Sequence, residues 1–590
     1  MTTLSGLGRP GSDAAEPPTD PRPRLVRRWN TAMVLLPALI VAVLGWRHRW
    51  MSDDGLIFTR PVRQVLAGHG PVFNLGERAE ASTSTLWHWL LVAGSWTTGV
   101  EAAPFAVYFG LACSVAGYAA ALDATRRLHL PRLEAPFLVP CGVLILIALP
   151  PVWDFATSGL ETGLTTLWTA GCWWLLVRLP HDERARTTYG LAFLTGLGPL
   201  VRPDLAIATL GFLTALAVIR RPRPLRALAL FATAIATPLL YELFRMGYYG
   251  VLLPLPALTK EATTSEWTRG REYVLDLVTP YHLWLPALVL AVFAVLTLAT
   301  RPSGVHRTRI VVCVTPMLSG LAMLLYIARV GGDFMHGRML LPGLFLLLLP
   351  ILTVPASRLA IPVATTLIGW AMLCAIGFRV GYDGIGPHGI ANERGFYTHT
   401  LRTANPVTAD TYIERFPGFP TMTRGPHPAY RHTLLHLTPA HAFVIGLRPE
   451  LDTPIVTVWP SLGMNGAATP LRGIAIDDLA LAYPLGAHIE LTTRGRPGHE
   501  KQIDAAWVLA EYADPAAPLP ADIDPIRVAA ARHALTCGPL KELQDSVRAP
   551  MTWTRFAKNL TGALTRTTFR FPNDPLTATQ KFCPTPPNSP

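Results

Sequence analysis

Charged side chains are scarce in this 590-residue sequence, at 15%, against roughly 25% in an average soluble protein. Lysine is nearly missing, with five in the whole chain. That composition argues against a large soluble enzyme and for an integral membrane protein. Other absences narrow the chemistry. There is no Gly-rich nucleotide loop, no HExxH, no CxxC and no spaced set of Cys and His, so no nucleotide site or recognisable metal centre is expected. No internal repeat is found, which counts against a transporter built from inverted halves. Net charge is +12, yet the basic residues are scattered among connections, and no nucleic-acid partner is expected. Cysteine is sparse as well. Cys113, Cys141, Cys172, Cys313 and Cys374 fall in apolar segments, where Cys acts as a small hydrophobe. Cys537 and Cys583 lie outside them, free to pair as a disulfide on an oxidising side of the membrane or to remain two thiols.

What is present is apolar. Half the residues are hydrophobic and the mean hydropathy is +0.32. Eleven segments approach the roughly 20 apolar residues that a bilayer-spanning helix needs: Thr31–Trp46, Pro104–Leu122, Ala135–Pro150, Thr162–Val177, Thr188–Leu200, Leu205–Ile219, Ala227–Phe244, His282–Ala299, Ile310–Ile327, Met339–Val354 and Leu359–Phe378. The expected fold class is a polytopic α-helical membrane protein of about 11 transmembrane helices with a C-terminal mixed α/β domain. Residues 1–30 form a basic, Pro-rich tail, and the first apolar run reads as a retained helix, since no cleavage site follows it. Arginine-rich connections alternate with acidic, Gly-rich and aromatic ones. The positive-inside rule puts the former in the cytoplasm and the latter outside. The expected location is a bacterial inner membrane, with the membrane domain at 31–380 and a soluble periplasmic domain at 381–590. Ser84 to Trp96 is too short to span and reads as an interfacial or re-entrant helix. Another surface helix is expected where Phe58, Val62 and Leu66 recur on one face while Arg60, Arg63 and Gln64 point elsewhere. In the soluble domain "PIVTVWP" and "HIELTT" read as strands, and "IDAAWVLAEY", "PIRVAAARHAL" and "TRFAKNLTGAL" as helices.

The candidate catalytic residues are Asp53 and Asp54, in "MSDDGLIFTR" just past the first span. An aspartate could simply cap the following helix. The external face, however, has no nucleotide pool. A glycosyl donor there arrives on a lipid, with its phosphate at headgroup depth. A carboxylate at that depth can deprotonate an acceptor hydroxyl or stabilise positive charge at the anomeric carbon. The leaving lipid phosphate needs cations and hydrogen-bond donors. Arg202 of "VRPD", Lys260, and His336 and Arg338 of "GGDFMHGR" are candidates for the donor phosphate. Asp204 and Asp333 could position sugar or acceptor; the alternatives are an ion pair of Arg202 with Asp204 and a loop clasp of Asp333 with Arg338. Glu161 of "SGLETG" is weighed more heavily as half of a capping box with Ser158 than as a site residue. His499 in "GRPGHEK" could fold back onto the membrane domain or mark a structural turn. Trp459, Trp507, Tyr412 and Tyr483 could stack on sugar, with a buried core the stronger reading. No metal ligands are assigned; a divalent ion held by aspartates and a donor phosphate stays open.

The ordered set "DD", "GHGPVFNLGERAEASTSTLWHWLL", "SGLETG", "VRPD", "YYGVLLPLPALTK", "GGDFMHGR" and "GRPGHEK" resembles the polyprenyl-phosphate-dependent glycosyltransferases of the GT-C superfamily. Within them it resembles the terminal β-(1→2)-arabinofuranosyltransferases of mycobacterial-type cell walls. The resemblance covers most of the chain; "LPLPALTK" departs from the "LPN" more usual in related proteins. It implies decaprenyl-phosphoryl-arabinofuranose as donor and the non-reducing ends of arabinan, in arabinogalactan or lipoarabinomannan, as acceptor. It also implies β linkages in donor and product, hence net retention. Other readings are a transferase for another lipid-linked sugar such as mannose, a lipid-linked glycan transporter, and a glycan-binding scaffold.

Overall fold

The computed structural model describes residues 22–130, 136–261, 264–299, 307–418 and 431–583. The basic tail up to residue 21 and parts of two arginine-bearing connections, 131–135 and 300–306, lie outside the described residues. Five helices are long and apolar enough to cross a membrane: Arg24–Arg47, Ala102–His129, Pro203–Arg220, Pro224–Tyr248 and Arg307–Arg329. Trp284–Ala299, Arg338–Ile351 and Ala360–Ile376 are shorter apolar helices. One expected span is not a continuous helix. Ala135–Pro150 is broken into a strand, Leu138–Pro140, and the seven-residue helix Gly142–Ala148, with Pro150–Asp154 following. The strand pairs antiparallel with Thr353–Pro355, at the end of another shortened segment. Prolines at 136, 140, 150 and 151 remove helix donors and confine the chain to short pieces. Thr188–Leu200 is likewise divided, at Leu197 just ahead of Pro199, into Ala185–Gly196 and Gly198–Val201.

The Asp53–Leu66 helix does not rest on a bilayer surface as its periodicity suggested. Phe58 and Val62 are buried, but so is Arg60, and Leu66 is exposed. It is clamped between the membrane helices and the C-terminal domain, packing on the Leu462–Ala468 helix. Arg60 explains how a charge fits there. Its guanidinium donates to five main-chain carbonyls, of Phe73, Gly466, Thr469, Pro470 and Gly473, which uses every donor it has. The helix Thr85–Thr98 falls where a short apolar helix was expected from Ser84 to Trp96; Trp96 near its end is largely exposed.

The C-terminal domain holds a four-stranded mixed sheet in the order Ala442–Gly446, Thr433–Leu437, Ile455–Val458, Ile474–Ile476. The first pair is a hairpin and the other two pairings are parallel. "PIVTVWP" supplies a strand, whereas "HIELTT" does not: only Ile489 pairs, in an isolated bridge to Phe571. The three expected helices are Ala505–Tyr512, Pro525–Ala534 and Trp553–Thr568. The last packs along the membrane helix Pro224–Tyr248. Cys537 and Cys583 form a disulfide that ties two helices of this domain. The core division differs from a boundary at 380: Ile390, Tyr397, Leu401, Tyr412 and Ile413 belong to the core of the membrane helices, and the second core begins at Leu434. Two small apolar clusters bridge the parts, one joining Ile57 and Phe73 to Leu462 and Leu481. Asn74 closes the edge of the sheet, exchanging two 2.9 Å hydrogen bonds with the main chain of Ala475 as a neighbouring strand would.

Candidate active site

Ser52, not an aspartate, caps the Asp53–Leu66 helix, which corrects the capping alternative for the acidic pair. Its Oγ accepts the Gly55 N–H at 2.9 Å and donates to the Ser158 carbonyl at 2.9 Å. Both acids occupy the first turn, where the helix dipole favours negative charge. Their side chains then part. Asp53 accepts N–H bonds from Met464 at 2.8 Å and Gly463 at 3.1 Å, so it caps the Leu462–Ala468 helix across the domain seam. A Cβ at position 463 would lie 1.9 Å from the Asp53 carbonyl oxygen, so the approach requires glycine. Burial pushes the Asp53 carboxyl up to about 7; the two N–H bonds oppose that rise and the Asp54 charge adds to it.

Asp54 instead faces a cavity of about 230 Å³ between the helix ends and the C-terminal domain. Five carboxylates and four cations line this space: Asp54, Glu161, Asp204, Asp333 and Glu500 against Arg202, Lys260, Arg269 and Arg338. Three cations are held by acids. Arg202 donates to Glu161 at 2.7 Å and Asp204 at 2.9 Å. Arg338 donates to Asp333 at 2.8 Å, and Arg269 stands 3.4 Å from Glu500. What the pairing leaves is Asp54, a looser 3.6 Å from Arg338, and Lys260. Among the described residues the Lys260 ammonium has no ion-pair or hydrogen-bond partner. The cavity thus presents one carboxylate and one ammonium whose charge is not already neutralised at hydrogen-bond distance.

Residues 448–581 match the family model described as the AftB family C-terminal domain. A terminal beta-(1->2)-arabinofuranosyltransferase of Mycobacterium tuberculosis is 34% identical over 603 aligned residues, covering 92% of this chain and 96% of that protein. One of Corynebacterium glutamicum is 33% identical over 621, covering 94% of this chain and 88% of that protein. The chain belongs to the terminal β-(1→2)-arabinofuranosyltransferase family. No solved structure matches it.

In this family member the remaining sequence candidates divide sharply. Glu161 forms no capping box. The helix starts at Thr162, without a side-chain cap, and the Glu161 carboxylate goes to Arg202 because a buried guanidinium needs its charge met. Arg202 and Asp204 are in the cavity but bound to each other. His336 is not in it: Nδ1 contacts Asp276 at 2.6 Å and Nε2 meets the Tyr281 hydroxyl at 3.1 Å. The glycines of "GGD" have left-handed φ of 92° and 76°, and both line the cavity. A Cβ at 332 would strike Tyr273. "GRPGHEK" does fold onto the membrane domain, with Pro497, Gly498 and Glu500 in the cavity wall. His499 stands edge-on to Phe334 at 5.0 Å, and burial, then Arg496, lowers its pKa to about 4. Trp507, Tyr412 and Tyr483 are core residues with no face free for sugar, and Trp459 packs against the first core. A divalent ion finds no three ligand atoms gathered in the cavity among the described residues; the one such group, His533 with Cys537 and Cys583, contains the disulfide.

Glu393 is the residue sequence reasoning missed. One carboxyl oxygen accepts the Asp53 N–H at 3.4 Å, and the other has no hydrogen-bond partner among the described residues. Burial, followed by the charge of Asp54, raises its pKa well above the ordinary value. It lies 340 residues from the acidic pair, and only the fold of residues 390–416 onto the membrane core brings it there.

Proposed function

We propose that this chain transfers arabinofuranose from a polyprenyl-phosphoryl donor, decaprenyl-phosphoryl-arabinofuranose, to the non-reducing ends of arabinan. The product is a terminal β-(1→2) linkage with net retention, made at the external face of a bacterial inner membrane. The architecture is of the GT-C kind with about eleven crossings, and the C-terminal domain is periplasmic and binds the acceptor. The two relatives support the reaction class by name. The observation that carries the residue assignment is the division of the acidic pair, with Asp54 in the cavity and Asp53 turned into the domain seam.

In this reading the acceptor 2-hydroxyl gives its proton to Asp54 as its oxygen bonds to the anomeric carbon. The bond from that carbon to the phosphate oxygen breaks, and the polyprenyl phosphate leaves as an anion. Lys260, with no acid of its own, and Arg338 receive that charge. Asp333 holds Arg338 in place, and the Glu161–Arg202–Asp204 group braces the opposite wall. With Asp54 as base, retention follows a front-face route; in a double displacement Asp54 is instead the nucleophile, and the phosphate leaves before the acceptor bonds. The test is linkage analysis of the product made by purified, reconstituted protein from the polyprenyl-linked pentose and an arabinan oligosaccharide. A terminal β-(1→2)-arabinofuranose is expected, and a Lys260→Ala variant should need about tenfold more donor for the same rate. A different linkage, or no transfer, rejects the reading.

A further inference from the structure

The C-terminal domain has a cleft of its own, of about 380 Å³, bounded by the Thr433–Leu437/Ala442–Gly446 hairpin and the starts of two helices. Among the described residues, two buried polar atoms on its lining have no hydrogen-bond partner: Nδ1 of His436 and Oδ1 of Asp478, in residues 3% and 6% exposed. Buried polar groups are nearly always satisfied, so two in one wall point to a ligand. The chemistry of the wall restricts its kind. Arg527, the cation of this cleft, is held by Asp504 and, at 2.8 Å, by Asp574, which leaves nothing to bind an anion. His441 is taken by Asp522 at 2.7 Å. No three carboxylate or imidazole ligand atoms converge here among the described residues, which argues against a compact cation. His436 is stacked on Phe443 with ring centres 4.8 Å apart, and burial keeps it neutral. A neutral ligand rich in hydroxyls, both donating and accepting, fits that set; Gln502 at the rim adds an amide group.

Position supplies the second argument. Leu481 and Glu500 line the cavity that contains Asp54, while Asp478 and Gln502 line the cleft. The two segments are tied by the Ile503 N–H donating to the Asp478 carbonyl at 3.1 Å. Three residues of chain span at most roughly 10 Å, so the cavity and the cleft back onto one thin wall. We propose that this cleft is a second glycan subsite, holding an inner part of the acceptor chain whose non-reducing end lies at Asp54. It rests on the arabinan-acceptor reading above and adds the place where that chain is gripped.

The test uses the full-length protein in nanodiscs, titrated with a fluorescent arabinofuranosyl disaccharide and hexasaccharide, with transfer to each measured in parallel. The wild type should bind the hexasaccharide more tightly. Gln502→Ala with Asp522→Ala changes rim side chains and spares the core; His436→Ala changes the wall. Each should weaken hexasaccharide binding about tenfold and raise its KM, with kcat unmoved. Hexasaccharide binding unchanged in both variants would overturn the proposal, whatever the transfer rates. Binding that depends on these residues without any transfer would leave the cleft standing and remove the transferase reading instead.

Discussion

Replacing Asp54 by Asn removes the one carboxylate of the cavity that no arginine holds at hydrogen-bond distance. The structural cost is small. Arg338 keeps Asp333 at 2.8 Å, and the Asp54 contact is a part-exposed ion pair at 3.6 Å, worth at most about 1 kcal/mol. The chemical cost is large, because a positioned base contributes about 10²- to 10⁴-fold. Asp53→Asn should behave in the opposite way. Its carboxylate accepts two main-chain N–H groups. Asn can accept one, but turns its own NH₂ toward the other, a loss of about 1–3 kcal/mol. Its turnover falls only as far as the C-terminal domain is loosened. The assay is transfer of labelled pentose in proteoliposomes, read beside melting temperature and protease resistance at pH 6. Near-normal turnover in Asp54→Asn would refute the assignment. So would an Asp53→Asn protein that is fully stable yet inactive.

Three further outcomes follow from the same geometry. The Asp53 carboxyl, raised to about 7, holds a proton in the folded state that the unfolded chain releases near pH 4. Its contribution to stability is therefore fully present below about pH 4 and is lost as pH rises through 7, by up to about 4 kcal/mol; the stability gap between wild type and Asp53→Asn should narrow from pH 5 to 8 in thermal melts, and a constant gap would contradict the burial. Arg60→Ala should cost more than about 3 kcal/mol, because several buried carbonyls lose their donors together; Arg60→Lys, with three donors, should recover only part of that in the same melts. Cys537→Ser opens a link between residues 46 apart, which should lower stability by about 4 kcal/mol, with no further loss on adding reductant.

The apolar helices were legible because long apolar runs leave a local mark, and Asp54 of the acidic pair does line the cavity. The broken span at Ala135–Pro150 was not. Its apolar content is that of a crossing, and only the pairing of Leu138–Pro140 with Thr353–Pro355, two hundred residues on, reveals its strand. Arg60 read as pointing away from the apolar face because helical periodicity cannot see the five carbonyls that it meets. Which aspartate faces the cavity was likewise beyond sequence. Neighbours in a first helical turn diverge by about 100°, and what each meets depends on where Gly463 and Arg338 are brought. Glu161 illustrates the reverse error: local capping chemistry was plausible, but Arg202 offered the stronger partner.

The joint between the two halves has an unusual grammar. Asp53, Arg60 and Asn74 on the membrane side address peptide groups of residues 463–475, never their side chains. Such a lock follows the path of the backbone it holds, and glycine at 463, 466 and 473 keeps that path open. A single inserted residue there would throw every contact out of step.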